Sequence, residues 1–298
     1  SKTLDCKNSG TALRFLIAQV ATCDFPVTID GDASLRARSS LHLVKSLGIS
    51  AKIASNESEY PLNLNGPFDA NSVTIDVSKT SQFHSALMLM TPRTKGFSIE
   101  TNGEAVSRKH SKLTWDLCQQ TGAKKPGIPW SVKCPDVVIP SDASMMAFAK
   151  LAGIKVENKP DSVDLIGHDL ENTILRDSND LITPMAAWLA LGEGGTISGA
   201  KHAAFKESNR ITKTVELLSR FGINSTIHEG GISVSGGQIP IRPDGLVETY
   251  GDHRIQMTAI LLASICGGLI EGADLHKVAW PSYLEQLIGL GLKVKDQP

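Results

Sequence analysis

Five times along the chain a short polar loop runs into a segment that is apolar nearly all round. Asn8-Ser-Gly-Thr11 precedes 12–21, Lys79-Thr-Ser-Gln82 precedes 83–90, and Ser141-Asp-Ala-Ser144 precedes 145–152. Asp180-Leu-Ile-Thr-Pro184 precedes 185–191, and Tyr250-Gly-Asp-His-Arg254 precedes 255–263. A helix without a polar face belongs inside a layer. The Ser, Thr, Asp and Gly at these starts are capping residues, placed where orphan N–H groups and the helix dipole favour anions.

A second set of helices is amphipathic and stops at a glycine: 41–48, 113–122, 215–222 and 284–291. Glycine just past the last turn is the usual left-handed cap. Alternating, strand-like runs lie between, at 72–77, 96–100, 195–198 and 231–235. The unit is strand, buried helix, strand, exposed helix, strand pair. Spacings between Ser9, Ser81, Ser141, Asp180 and Asp252 are 72, 60, 39 and 72 residues, so the pattern predicts five units with the one after Ser141 shortened, and a sixth ahead of Ser1. Pro135 and Pro140 around Asp-Val-Val-Ile mark a domain crossing. We therefore expect domains at 1–139 and 140–298, the first with two units and the second with a shortened unit and two complete ones, facing a cleft suited to a doubly charged small substrate.

Composition narrows the classes. The 298 residues are 41% hydrophobic and 20% charged, with 30 basic against 31 acidic residues and a net charge of -1. No global field for nucleic acid or an anionic membrane results, so anion recognition must be local. Aromatic residues make only 5%, too few for a base-stacking surface. Cys6, Cys23, Cys118, Cys134 and Cys266 are scattered, without C-x-x-C spacing, and read as inert thiols in a reducing compartment, with no metal site and no disulfide framework. The longest apolar run is too short for a bilayer and the first residues hold no signal-peptide core, so a cytoplasmic protein is expected.

The most concentrated chemistry is Lys206-Glu-Ser-Asn-Arg210, leading into an amphipathic helix. As a helix start it places a cation, a carboxylate, a hydroxyl cap at Ser208 and a guanidinium within one turn. The plain alternative is a charged first turn. Together with Asn8-Ser-Gly-Thr-Ala-Leu-Arg14, Gly31-Asp-Ala-Ser-Leu-Arg-Ala-Arg38, Thr80-Ser-Gln82 and Tyr250-Gly-Asp-His-Arg254, it resembles the enolpyruvyl transferases in order and spacing, most closely those acting on shikimate 3-phosphate. The resemblance runs from about residue 6 to about 290. It implies an α/β, two-domain fold of repeated βαβαββ units around parallel buried helices, an inside-out α/β barrel, here with the first unit missing.

It also implies transfer of the enolpyruvyl group of phosphoenolpyruvate to the 5-hydroxyl of shikimate 3-phosphate, with release of phosphate and no metal or organic cofactor, by a monomer of the shikimate pathway, which supplies chorismate and the aromatic amino acids. By the same resemblance Gly10, Arg38, Gln82, Arg210 and Arg254 hold phosphoenolpyruvate. Planar bidentate guanidinium suits its carboxylate and phosphate. Thr80, Ser81, Gln82, Ser107, Arg108, Asp180, His202 and Lys206 hold shikimate 3-phosphate. Asp180 takes the hydroxyl proton, and Glu207, assisted by Lys206, moves the proton at the enol carbon. Plainer readings stand beside these: Thr80, Ser81, Ser107 and Asp180 as helix caps, Lys206 and Glu207 as an ion pair, Arg14 and His253 as structural partners.

The pattern departs from the family in places. The family's first lysine–serine–arginine constellation would fall ahead of Ser1, Val278 stands where many members have a lysine, with Lys277 one residue early, Asn209 replaces an acidic residue, and His202 replaces an asparagine. Among competing readings, the UDP-N-acetylglucosamine enolpyruvyl transferase needs a cysteine in a glycine-rich loop, and none of the five lies in one. RNA 3'-phosphate cyclases need a nucleotide site and an adenylated histidine, whose signatures are missing. A non-catalytic anion-binding remnant of the fold is the alternative from another class.

Overall fold

The computed structural model describes residues 3–52, 59–138, 142–151 and 172–295. The chain divides into two compact units, Ser1–Ile139 and Pro140–Pro298. In the first, the order is β1 (Thr3–Asp5), α1 (Gly10–Ala21), β2 (Val27–Asp30), α2 (Ala33–Arg36), α3 (Leu41–Leu47), β3 (Ser50–Lys52) and β4 (Leu62–Asn65). These strands form one sheet, β1-β2-β4-β3, with β1 and β2 parallel and the other pairs antiparallel. Then come β5 (Ser72–Asp76), α4 (Gln82–Met90), β6 (Ser98–Asn102) and α5 (Arg108–Gln120), with β5 parallel to β6.

The second unit repeats the plan. After α6 (Ala143–Leu151) follow β7 (Asn172–Ile174), α7 (Ile182–Leu191), β8 (Gly194–Ser198), α8 (Arg210–Arg220), β9 (Ser225–His228) and β10 (Gly231–Ser235), in a sheet of order β7-β8-β10-β9. Here too the first pair is parallel and the others are antiparallel. The chain ends in β11 (Leu246–Val247), α9 (His253–Cys266), β12 (Leu269–Ile270) and α10 (Tyr283–Gly289), with β11 parallel to β12. Each four-stranded sheet thus closes a strand–helix–strand–helix–strand pair. Among the described residues the sheets β5–β6 and β11–β12 have only two strands, so no strand pair completes the last unit. Ser141 and residues 152–171 of the shortened unit lie outside the described residues.

The apolar helices are buried as their composition requires. In α1, Leu13, Ile17 and Ala18 are fully covered and pack with Ile29, Leu43, Leu62 and Val73. In α7 eight of ten residues are buried, within a core that includes Ile197, Leu218, Phe221 and Ile255. By contrast α5 buries only Cys118 among its 13 residues. Gly48 ends α3 at φ +63° and Gly222 follows α8 at φ +72°, the left-handed stops anticipated from the sequence. No described helix is long and apolar enough to cross a membrane.

Burial of α1 is what fixes the loop at its start. Ile17→Ala is expected to lower stability by roughly 2–5 kcal/mol through lost contact and a residual cavity, measured as a lower urea midpoint with unchanged slope.

Candidate active site

In the first unit the loop after β1 and the loop after β2 are laced together. Asn8 Nδ2 donates to Asp32 Oδ2 (2.9 Å), while Asp32 Oδ1 caps α2 by accepting the Leu35 N–H (2.8 Å). Arg38 Nη2 reaches the Asn8 carbonyl (2.8 Å) and Oδ1 (3.3 Å), and buried Tyr60 donates to the Arg38 carbonyl (3.1 Å). Arg36, two residues earlier, is committed to Asp30 through two bonds of 2.9 and 2.6 Å. Of the two arginines in this loop, only Arg38 turns to the start of α1.

At that start, Gly10 leaves room for two guanidinium groups: a Cβ there would lie 3.0 Å from Arg14 Nη1 and 3.3 Å from Arg38 Nη1. Arg14 Nη1 donates to Gln82 Oε1, and Gln82 Nε2 donates to Thr11 Oγ1 (2.9 Å). Gly10, Arg14, Arg38 and Gln82 therefore meet over one helix N-terminus, which attracts anions. Thr80 acts as a cap, its Oγ1 accepting the Gln82 N–H (3.1 Å), whereas buried Ser81 makes no side-chain cap bond. Ser107 is buried at φ +50° and likewise makes no cap bond to α5, where Arg108 is the first, exposed residue. The Thr80–Ser81 loop and Ser107 follow neighbouring parallel strands, β5 and β6.

The second unit holds the denser cluster, and its centre is Arg210, 1% exposed. Its Nε donates to Asp252 Oδ2 (2.9 Å), Nη1 to Asp180 Oδ1 (2.6 Å), and Nη2 to Glu207 Oε2 (2.6 Å) and Asp252 Oδ1 (3.2 Å). Burial pulls the guanidinium down, but the three carboxylates outweigh it and hold it above its ordinary range. Burial likewise works to raise Asp252, and the Arg210 charge and hydrogen bonds win, keeping that carboxyl below the usual range.

Asp180 also meets Lys206 Nζ and Arg254 Nη2, each at 3.7 Å. Arg254 is 5% exposed, and its Nε and Nη1 find no partner among the described residues. Burial lowers its pKa, with Asp180 opposing the shift. Buried donors without acceptors are costly. His202, 3% exposed, shares a 2.6 Å bond between its Nε2 and Asn179 Nδ2. Burial, and then the Lys206 charge, push its pKa down to about 4, so it stays neutral.

Two local expectations are corrected. Ser208 is not the cap of α8: Asn209 is, accepting the Thr212 N–H at 3.3 Å, while Ser208 Oγ donates to Asp252 Oδ2 at 2.9 Å. Nor does Asp180 cap α7, which has Leu181 at the cap position and no side-chain cap bond; its carboxylate serves the cations. Lys277 pairs with Asp274 at 2.8 Å, half-exposed, beside exposed Val278. Asp252, Asn179 and Asn8 were not read as site residues from the sequence. Asp252 had one signal, its place as a cap before His253-Arg254, where it accepts the Arg254 N–H (2.9 Å). Among the described residues no group of three or more His, Cys, Asp or Glu is arranged to hold a metal ion.

His202 gives a pH prediction. A histidine whose folded pKa lies below its unfolded one contributes stability that is complete above about 6.5 and is lost as pH falls toward 4, by at most about 3 kcal/mol. His202→Asn should flatten the dependence of the urea midpoint on pH between 6.5 and 4.5, and an unchanged slope would refute the assignment.

Comparison with known proteins supplies the family. The family model described as EPSP synthase (3-phosphoshikimate 1-carboxyvinyltransferase) matches residues 1–127 and 128–287. The 3-phosphoshikimate 1-carboxyvinyltransferase of Methanothrix thermoacetophila is 29% identical over 98% of this chain and 80% of its own length, and that of Caldicellulosiruptor saccharolyticus is 27% identical over 98% and 81%. Among solved structures, an EPSP synthase from Acinetobacter baumannii superposes with a TM-score of 0.66 at 18% identity, covering 100% of this chain and 81% of its own. The enolpyruvyl transferase NikO from Streptomyces tendae gives 0.61 at 14%, covering 99% and 96%. These two share the fold, and the family match across nearly the whole chain decides the rest: the chain belongs to the EPSP synthase family.

Proposed function

We propose that the chain transfers the enolpyruvyl group of phosphoenolpyruvate to the 5-hydroxyl of shikimate 3-phosphate and releases phosphate. The observation that carries the reading is the second-unit cluster, where Lys206 and the partner-seeking Arg254 both stand 3.7 Å from Asp180, with Glu207 bound to the same Arg210. The reaction needs a proton delivered to the methylene carbon of the enol, a proton removed from the hydroxyl, and cations for phosphate and carboxylate. As the hydroxyl oxygen bonds to the central carbon, a tetrahedral adduct forms. Its carbon–oxygen bond to phosphate then breaks while the new methyl group gives back a proton, restoring the double bond.

In this reading Asp180 takes the hydroxyl proton, Glu207 moves the proton at the methyl carbon with Lys206 beside it, and fixed charges stabilise the adduct. Arg38, Arg210, Arg254, Gln82 and the Gly10 backbone hold phosphoenolpyruvate. Most of Arg210's donors already serve carboxylates, so Arg254 is the stronger ligand of the pair. Thr80, Ser81, Ser107, Arg108, Gln82, His202, Asp180 and Lys206 hold shikimate 3-phosphate. The reading further takes the protein as a cytoplasmic monomer with small-molecule substrates, no nucleic acid, no membrane and no cofactor.

Phosphate release from phosphoenolpyruvate, measured with and without shikimate 3-phosphate, tests it. Release should require both substrates, and Lys206→Met should reduce kcat about 100-fold or more while leaving the urea midpoint near that of the parent. Release that ignores shikimate 3-phosphate, or survives the substitution, would defeat the reading.

A further inference from the structure

The segment that delivers Asp252 and Arg254 contains an unusual piece of backbone. Tyr250 (φ +55°) and Gly251 (φ +66°) are both left-handed, and the Asp252 N–H closes onto the Thr249 carbonyl at 2.9 Å. Two positive φ values inside an i to i+3 bond define a type I′ turn, whose usual central residues are Gly, Asn and Asp. A bulky aromatic residue is disfavoured there. Left-handed backbone of this kind persists where surrounding contacts over-determine it, and it concentrates at functional sites.

Two side-chain contacts of Tyr250 come from one helix. Its phenol donates to Glu216 Oε2 at 2.7 Å, Lys213 Nζ lies 4.0 Å from the ring centroid, and Lys213 Nζ bonds the same Glu216 oxygen at 2.7 Å. Lys213 and Glu216 stand one turn apart on α8, the helix that begins with Arg210. The turn is therefore tied to α8 twice, through the aromatic ring at its second residue and through the Asp252–Arg210 bonds at its last. A third tie anchors its first residue, as Thr249 N–H donates to Glu271 Oε2 at 2.7 Å. Burial and the Glu216 carboxylate hold the phenol protonated, which suits its role as donor.

We propose that Tyr250 is a positioning residue for anion binding: clamped by Lys213 and Glu216, it holds the turn in the left-handed form that sets Asp252 against Arg210 and starts α9 with Arg254 aimed at phosphoenolpyruvate. The inference rests on the reaction proposed above. It makes a prediction opposite to the one backbone preference makes. Asparagine accommodates left-handed backbone better than tyrosine, so Tyr250→Asn relieves the turn while removing the clamp. A residue that merely suffers the turn would be improved by the change; a positioning residue would be damaged.

Steady-state kinetics of Tyr250→Asn should show KM for phosphoenolpyruvate raised about fivefold or more, with KM for shikimate 3-phosphate and the melting temperature little changed. Tyr250→Phe keeps the ring over Lys213 and should rescue most of the loss. An unchanged KM for phosphoenolpyruvate in Tyr250→Asn overturns the proposal. Hydrogen exchange of the peptide covering 248–254 gives a readout independent of turnover: exchange should be faster in Tyr250→Asn than in the parent, and equal or slower exchange would overturn the clamp. If the parent chain shows no turnover, the proposed reaction falls while the exchange result still decides whether Tyr250 holds the turn.

Discussion

A guanidinium withdrawn from water sets the terms for the second unit. Arg210 is almost wholly buried, and such a charge is tolerated only when paired and hydrogen-bonded. Its three carboxylate partners come from three places in the chain, Asp180 ahead of α7, Glu207 ahead of α8 and Asp252 ahead of α9. One side chain thereby fixes the entries of three helices relative to each other. Removing any carboxylate leaves a buried charge undercompensated, with a cost of several kcal/mol. Ser208 and the Arg254 N–H satisfy further lone pairs of Asp252, so the deepest carboxylate is also well hydrogen-bonded.

Around this pair of opposing charges the remaining groups are differentiated by what they still lack. Asp180 is about a third exposed and Glu207 less so, which leaves both within reach of solvent. Among the described residues Arg254 retains buried donors without acceptors. His202 and His253 are both pushed toward neutrality, burial being the main cause, so neither adds to the positive charge at neutral pH. The first unit solves a related problem differently. There Arg38 and Arg14 bond to amide and carbonyl oxygens of Asn8 and Gln82, and the close approach of both to α1 depends on the missing side chain of Gly10.

The layer pattern was legible because burial follows composition: an all-apolar segment such as 185–191 has no face to offer water, and α7 is buried. Residue types in the charged loops also announced anion chemistry. What the sequence misled on was the use of individual polar groups. Ser208 and Asp180 both looked like caps, and a cap is worth about 1 kcal/mol. A charge-assisted bond to a buried guanidinium is about twice as strong as a neutral one, and a buried Arg210 competes for every nearby acceptor. Which arginine would be buried depends on its contacts with Asp180, Glu207 and Asp252, which are spread along the chain. The left-handed Tyr250 was equally invisible, since its support at Glu216 lies 34 residues away in the chain and Lys213 lies further still.

The treatment of helix starts separates structure from chemistry more clearly than residue type does. α1, α8 and α9 begin with side chains that accept their own helix N–H groups, from Ser9, Asn209 and Asp252. At the starts of α4, α5 and α7 the cap-position residue makes no such bond, although Thr80 accepts one N–H of α4. Those starts carry Ser81, Ser107 and Asp180, the residues assigned above to shikimate 3-phosphate. Where no such bond forms, the first N–H groups of the helix keep their positive end. Sequence alone ranks all six starts as equivalent caps. Folding divides them, because tertiary charge pairing claims Asp180, and because Ser81 and Ser107 stand at the cap position without a side-chain cap bond.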